Sequence, residues 1–139
     1  MAGAGVSGWA SASTDWLGIE IASASGGEAV LRMPTRPEMA NRVDLVHGGF
    51  IALLADSAMG RALSTVLPDG ERHVSFDLKM SFISPGRLGE PLEAVGRVLH
   101  SGRRTAVADC RVTGEAGRLV ATATASFIVA LPAPSGSET

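Results

Sequence analysis

Apolar and polar residues alternate through most of the second half of the chain. Because successive side chains of a β-strand point to opposite faces, this period of two predicts strands. Four such segments cover residues 73–85, 90–100, 103–113 and 118–131. Two shorter apolar segments, at residues 16–24 and 28–34, flank a Ser-Gly-Gly turn and predict two further strands.

The strand predicted at residues 73–85 has one apolar and one polar face. Its apolar face is expected to carry Phe76, Leu78, Met80 and Phe82. Its polar face is expected to carry Ser75, Asp77, Lys79 and Ser81.

One segment has a different pattern. Residues 49–67 are apolar on nearly every side of a helix, and Pro68-Asp69-Gly70 ends them, so they predict a buried α-helix. The order is strand, strand, helix and then four strands, and consecutive strands joined by tight turns pair antiparallel. We therefore expect an α+β domain in which one long buried helix packs against a curved antiparallel sheet.

Length and composition fit a single domain. The chain has 139 residues, 45% of them hydrophobic, and we expect one domain at residues 14–131 with flexible ends at 1–13 and 132–139. A net charge of −2 argues against a nucleic-acid partner, and no segment is long and apolar enough to span a membrane.

The lone Cys110, on an apolar strand face, is expected to pack in the core and is compatible with the cytoplasm. The three histidines lack the spacing of metal ligands, so we expect no metal.

Asp56 stands in the middle of the apolar helix, where an unpaired charge is costly. Its neighbours Leu53, Leu54 and Ala58 predict that it is at least partly buried. Burial favours the protonated form of a carboxyl group and makes the carboxylate a better general base. The alternative is a structural aspartate satisfied by hydroxyl groups or by a second chain.

The sequence His47-Gly48-Gly49 precedes the helix. The first N–H groups of a helix lack intrahelical acceptors and can stabilise a developing oxyanion, although a simple helix cap gives the same pattern. Gly48 and Asp56 are eight residues apart, about 12 Å along a helix, which is too far for both to reach one carbon atom. If they share a site, two antiparallel copies of the chain must form it, which predicts a homodimer with two sites.

Other polar residues are weaker candidates. Asn41 is expected either to position a substrate carbonyl or to hold its loop, and Ser75 either to orient a water molecule or to be an exposed strand residue. Arg103 and Arg104 follow a Ser-Gly turn and are expected either to bind phosphates or to be solvated.

The stretch with Asn41, His47-Gly48-Gly49 and Asp56, followed by VSFDLKMSFISPGRLGE, resembles the hotdog-fold acyl-CoA thioesterases, and within them the phenylacetyl-CoA thioesterases of phenylacetate degradation. The resemblance covers roughly residues 16–131. It implies a hotdog fold and hydrolysis of aryl-acetyl-CoA or medium-chain acyl-CoA thioesters, with coenzyme A as part of the substrate and no separate cofactor.

The resemblance also implies roles for individual residues. Asp56 would be the base or nucleophile, Gly48 the N–H donor to the thioester carbonyl, with Asn41 and His47 assisting and Ser75 orienting water. Gly49, Arg103 and Arg104 would contact the substrate, and homodimers would pair into tetramers. Two other activities stay open: hydration or dehydration of an acyl thioester by an aspartate–histidine pair, and acyl-CoA binding without catalysis.

Overall fold

The computed structural model describes residues 11–131, which form one antiparallel sheet and two α-helices. In chain order the elements are α1 (Ala12–Leu17), β1 (Glu20–Ser25), β2 (Glu28–Met33), α2 (Gly48–Ser64), β3 (Arg72–Phe82), β4 (Leu92–Ser101), β5 (Thr105–Thr113) and β6 (Leu119–Leu131). The sheet order is β1-β2-β4-β5-β6-β3. The expected α+β architecture, with one long helix on a six-stranded antiparallel sheet, is confirmed.

The core lies between α2 and the inner face of the sheet, and α2 contacts every strand. Leu54, Met59 and Leu63 of α2 are completely buried. Opposite them, β5 and β6 present small side chains that allow close approach: Ala106, Ala108, Ala121, Ala123 and Ala125. The expected packing position of Cys110 is also confirmed, because its thiol is buried in this face.

The N-terminal part differs from the prediction. The strand predicted from residue 16 does not begin there, because residues 12–17 form α1. The side chains of Ser11 and Thr14 cap each other's backbone N–H groups, and the turn ends at Gly18 with a φ of +74°. The first strand therefore begins only at Glu20. Of the expected flexible ends, residues 1–10 and 132–139 lie outside the described residues, whereas residues 11–13 belong to the cap and first turn of α1.

The place of β3 in the sheet also differs from the expectation that consecutive strands pair. β3 pairs with β6, because both edges of β4 are already occupied by β2 and β5. β3 is therefore an edge strand, and its outer edge has no partner within residues 11–131. Several large apolar side chains on and just after β3 are exposed: Val74, Phe76, Leu78, Phe82 and Ile83.

A β-bulge changes the direction of the side chains in β3. The register shifts between Ser75, which pairs with Phe127, and Asp77, which pairs with Ser126. Because paired residues share a sheet face and Phe127 is buried, Ser75 points towards α2, on the same face as Leu78. The prediction that Ser75 lies opposite Leu78, Met80 and Phe82 is wrong, since strict alternation cannot anticipate the extra residue at Phe76.

Candidate functional site

A cavity of about 390 Å³ opens beside Asp56, between α2 and the beginning of β3. Asp56 is half-buried, as expected, and its Oδ1 is buried without a hydrogen-bond partner within residues 11–131. The bulge in β3 brings Ser75 into the lining of the same cavity. The cavity is therefore lined by a carboxylate residue and a hydroxyl residue, the two kinds of group from which a base acting on water is built.

His73 also lines this cavity, and the sequence analysis did not assign it a role. Its Nε2 lies 3.0 Å from the hydroxyl of Ser64, and its ring packs edge-on against Phe127. Burial lowers the pKa of His73, although the charge of Asp56 and the backbone of Gly60 oppose this effect. The signal in the sequence was its position two residues before Ser75, which places both side chains on one face of the strand.

The beginning of α2 forms a second polar centre. His47 is the N-cap, and its Nδ1 accepts a hydrogen bond of 2.9 Å from the N–H of Gly49, while the N–H of Phe50 bonds to the His47 carbonyl. The N–H of Gly48, by contrast, has no acceptor within residues 11–131. It is a free donor at the positive end of the helix dipole. The N–H of Gly49 is therefore already bonded to His47, and the expected contact of Gly49 with substrate stays a prediction.

Asn41 holds the loop that precedes α2. Its Oδ1 accepts hydrogen bonds from the N–H groups of Val43 (2.9 Å) and Leu45 (3.0 Å), and Asp44 takes up a φ of +61° in this turn. The loop-holding alternative for Asn41 is therefore realised. Since Oδ1 points into the turn, the amide nitrogen remains as the group that can reach a ligand.

Asn41 and Gly48 line a separate cavity of about 400 Å³, with Phe82 and residues 83–86 after β3. A Cβ at Gly48 would lie 2.9 Å from Cζ of Phe82, so a larger residue there requires the exposed Phe82 ring to shift. None of the residues that line this cavity also lines the cavity at Asp56. One chain thus places the free N–H and the free carboxylate at two different sites near opposite ends of β3.

Arg103 and Arg104 are exposed in the turn between β4 and β5. Thr105, the next residue, pairs with Ile128, which also pairs with Val74, so this turn lies at the end of the sheet that carries His73. The two arginines are therefore near the Asp56 cavity rather than near Gly48. Their contact with substrate phosphates stays a prediction.

Glu90 is a second buried carboxylate, and its environment is the opposite of that of Asp56. It is 3% exposed and accepts hydrogen bonds from the N–H groups of Arg87 (2.7 Å) and Glu115 (2.8 Å) and from the guanidinium of Arg118. Burial alone would raise the pKa of Glu90, but these donors and the charge of Arg118 together lower it. Glu90 therefore holds two loops together, and each of its carboxylate oxygens already has a donor.

Within residues 11–131, no group of three or more His, Cys, Asp or Glu side chains is placed to bind a metal ion. No helix in this part of the chain has the length and apolar character needed to cross a membrane.

Comparison with known proteins identifies the family. The Thioesterase superfamily model matches residues 44–121, more than half of the 139 residues. The chain belongs to the thioesterase superfamily. Over 105 residues it is 33% identical to acyl-coenzyme A thioesterase PaaI of Escherichia coli, covering 76% of this chain and 73% of that protein. The matched region of the thioesterase superfamily includes Gly48, Asp56, His73 and Ser75 but begins after Asn41.

Solved structures of related proteins show the same fold. The structure of PaaI from the phenylacetic acid degradation operon of E. coli matches with a TM-score of 0.84 and 29% identity, covering 95% of this chain and 92% of that one. A hypothetical thioesterase of Streptococcus pneumoniae, solved with coenzyme A, matches with a TM-score of 0.76 and 26% identity, covering 84% and 88%. The expected hotdog fold of this thioesterase superfamily member is thereby confirmed.

Proposed function

We propose that this protein hydrolyses acyl-CoA thioesters to free acid and coenzyme A, in sites that two copies of the chain build together. One observation carries the proposal. The unpaired N–H of Gly48 and the unpaired Oδ1 of Asp56 are the two groups that acyl transfer needs, and a single chain holds them in separate cavities. Names of relatives add support, since E. coli PaaI is called an acyl-coenzyme A thioesterase and the S. pneumoniae protein binds coenzyme A.

The chemistry follows from these groups. The N–H of Gly48 and the amide of Asn41 hold the thioester oxygen, and one such donor contributes about 2.7–4 kcal/mol to lowering the barrier. Asp56 takes a proton from water, oriented by Ser75, as the water oxygen attacks the carbonyl carbon. The C–S bond then breaks, and the departing thiolate takes the proton. Direct attack by Asp56, through an anhydride that water then hydrolyses, uses the same groups and stays an open alternative.

The free edge of β3 supports the homodimer. Ser75 and Phe82, seven residues apart, are separated by about 24 Å along the strand. If the β3 strands of two chains lie side by side and antiparallel, the Ser75 end of each comes next to the Phe82 end of the other. The Asp56 cavity of one chain then meets the Gly48 cavity of its partner, and Phe76 (58% exposed) and Phe82 (55% exposed) become buried in the interface.

The proposal has three further parts. Such dimers pair into tetramers, the protein acts in the cytoplasm, and the phosphates of CoA lie near Arg103 and Arg104.

The first experiment is to measure release of free thiol from a panel of aryl-acetyl and medium-chain acyl-CoA thioesters. We expect rapid release from at least one class and a loss of several orders of magnitude in Asp56→Asn. Asp69→Asn is the matched control, because Asp69 is exposed in the loop after α2. No release from any thioester, or equal release by Asp56→Asn, would refute the proposed chemistry.

Gly48 allows a test of the N–H donor itself. Gly48 is the first residue of α2, and His47 before it is extended, so proline fits the backbone there while removing the N–H. Alanine introduces the same Cβ contact with Phe82 but keeps the donor. We expect Gly48→Pro to lower kcat by a hundredfold or more relative to Gly48→Ala. Equal kcat values for the two variants would remove this N–H from the reaction.

Mixed dimers test whether the two chains share a site. In a heterodimer of Asp56→Asn and Gly48→Pro subunits, one site carries both defects and the other carries neither. Verified heterodimers should therefore recover about half of the wild-type activity. Sites contained within single chains predict no recovery at all.

His73 supports the second candidate, hydration of an enoyl thioester. The structure places this histidine in the cavity of Asp56, where the charge of Asp56 acts on it. Incubation with an enoyl-CoA separates the activities, because hydration leaves the thioester intact and hydrolysis releases a thiol. Tight binding of acyl-CoA with neither product would support the non-catalytic alternative.

A further inference from the structure

The imidazole of His73 packs against one face of α2. That face carries Asp56, Gly60 and Ser64, which are four residues apart and therefore stand above one another along the helix. Gly60 lets the ring come close, because a Cβ there would lie 3.1 Å from Cε1 of His73. The ring also packs edge-on against Phe127, with 5.4 Å between the ring centroids. The imidazole is therefore held between α2 and β6, in the lining of the Asp56 cavity.

The hydroxyl of Ser64 determines which ring nitrogen of His73 carries the proton. Its Oγ donates a hydrogen bond of 3.1 Å to the carbonyl of Gly60, and a hydroxyl group has only one proton to donate. The contact of 3.0 Å between this Oγ and Nε2 of His73 therefore requires the proton to be on Nε2. In the neutral imidazole, the other nitrogen, Nδ1, then holds an unprotonated lone pair.

Nδ1 of His73 is an unused acceptor that opens to the cavity. No N–H or O–H group within residues 11–131 donates to it. The buried side-chain atoms of this region that lack a partner are Oδ1 of Asp56 and Nε of Arg61, so the unpaired Nδ1 is accessible to water. Asp56 stands one turn before Gly60 and Ser64 one turn after it, and Nδ1 is on the side of Cε1 that faces away from Ser64.

The imidazole of His73 is neutral above pH 7. Burial lowers its pKa from the usual 6.5, and the charge of Asp56 and the backbone of Gly60 offset only part of this effect. The other charged side chains that line the cavity are those of Arg61, Glu71 and Arg72. Above pH 7, Nδ1 is thus a hydrogen-bond acceptor.

The proposed hydrolysis leaves one hydrogen atom of the attacking water without an acceptor. A water molecule has two protons and two lone pairs. One proton passes to Asp56, one lone pair attacks the thioester carbon, and the hydroxyl of Ser75 donates to the other lone pair. His73 precedes Ser75 by two residues in β3, and both line the cavity, so Nδ1 is available for the second proton.

We propose that neutral His73 orients the attacking water molecule by accepting a hydrogen bond from it at Nδ1. The inference rests on the proposed hydrolysis and adds one group to its machinery. His73 removes no proton from the water, which gives its proton to Asp56. A protonated His73 has an N–H group at Nδ1 as well, so it becomes a donor and no longer accepts from water.

The first test determines the tautomer of His73 without measuring activity. Nitrogen NMR of the protein labelled with ¹⁵N-histidine, recorded from pH 8 to pH 5, shows which ring nitrogen carries the proton, and His73→Asn identifies the signals. We expect the Nε2–H form above pH 7. Ser64→Ala removes the hydroxyl that fixes this form and should shift the population towards Nδ1–H. Nδ1–H as the main form in the wild type would overturn the inference.

Two amide substitutions separate the two nitrogens of His73. Asparagine retains an acceptor near the position of Nδ1, whereas glutamine extends towards Ser64, as Nε2 does. We expect His73→Gln to lower kcat for thiol release about threefold to tenfold with little change in KM, as for the loss of one hydrogen bond, and His73→Asn to retain most of the activity. His100→Asn is the matched control, because His100 is exposed and lines neither cavity. Equal kcat values for His73→Gln and His73→Asn would contradict the role of Nδ1.

The pH profile separates this role from a purely structural one. In the wild type, kcat/KM should fall as pH decreases through the lowered pKa of His73, because protonation removes the acceptor. In His73→Asn, which does not titrate, this part of the fall should be absent. Identical acid limbs would overturn the inference while leaving the hydrolysis intact. No thiol release by the wild type from any member of the panel would instead refute the proposed function and this inference with it.

Discussion

Gly96 in β4 is the point at which the backbone of the sheet comes closest to the backbone of α2. A Cβ at this position would lie 2.5 Å from the carbonyl oxygen of Ala58, 2.6 Å from its carbonyl carbon and 2.8 Å from the nitrogen of Met59. All three are backbone atoms, so no side-chain rotation relieves the contact. To bring the shortest distance from 2.5 Å to an ordinary 3.4 Å, helix and strand must separate by about 0.9 Å.

Gly96→Ala should therefore damage both stability and activity. Overpacking of this kind costs about 1–3 kcal/mol, and for a chain of this size each 1 kcal/mol lowers Tm by roughly 4 °C. Asp56 lies two residues before Ala58, so a displacement of α2 also moves the carboxylate. Since a misplacement of about 1 Å in an active site can reduce the rate about hundredfold, we expect a loss of that order in thiol release.

The assay combines urea unfolding at fixed protein concentration with thiol release well below the Tm of the variant. Gly70→Ala is the control: Gly70 has a φ of +83° and no atom within 4 Å of its Cβ position, so alanine there strains the backbone without moving α2. It should lose stability but keep activity. Adding Ala58→Gly should not rescue Gly96→Ala, because the contact is with backbone. Wild-type stability and turnover in Gly96→Ala would refute the packing argument.

Three further predictions concern titratable side chains. Because folding lowers the pKa of His73, the unfolded chain takes up its proton first as pH falls through 6.5, and stability present above pH 6.5 is lost below it. Urea unfolding between pH 8 and pH 5 should therefore show a smaller loss of unfolding free energy in His73→Gln than in the wild type. Equal losses in the two proteins would contradict this prediction. Glu90→Gln leaves Arg118 without its charged partner and should cost about 3–5 kcal/mol in unfolding free energy, and a cost below about 1 kcal/mol would show that the clamp is not structural. Burial raises the pKa of Cys110 to about 12, so a thiol reagent at pH 8 should label it only after denaturation, and rapid labelling of the native protein would contradict its burial.

The regular elements were predictable because their signals are local. The period of two in β5 and β6 follows from each strand having one face on the core, and the apolar surface of residues 49–67 follows from a helix enclosed by the sheet. The pairing of β3 with β6 was not predictable in this way, since it depends on β4 being fully paired elsewhere. The capped turn at residues 11–17 was overlooked because its signal, Ser11 with Thr14, is short.

The same distinction between local and long-range signals applies to the candidate site. The spacing of Gly48 and Asp56 indicated two half-sites, and the structure indeed keeps the two residues in separate cavities. The position of Ser75 depends on a bulge that alternation cannot reveal. The spacing of His73 and Ser75 places both side chains on one strand face, but that this face lines the Asp56 cavity is not visible before the chain is folded.

The contrast between Glu90 and Asp56 indicates why this chain leaves some polar groups unsatisfied. Within residues 11–131, every acceptor oxygen of the nearly inaccessible Glu90 carboxylate has a donor, so the chain is able to satisfy a buried charge. The buried side-chain atoms in this region that lack a partner are Oδ1 of Asp56 and Nε of Arg61, and both belong to residues lining one cavity. Buried polar groups are rarely left unpaired by chance, so these two atoms mark the cavity as a candidate site. In the proposed hydrolysis, the partner that the Asp56 carboxylate lacks is the water molecule that it deprotonates.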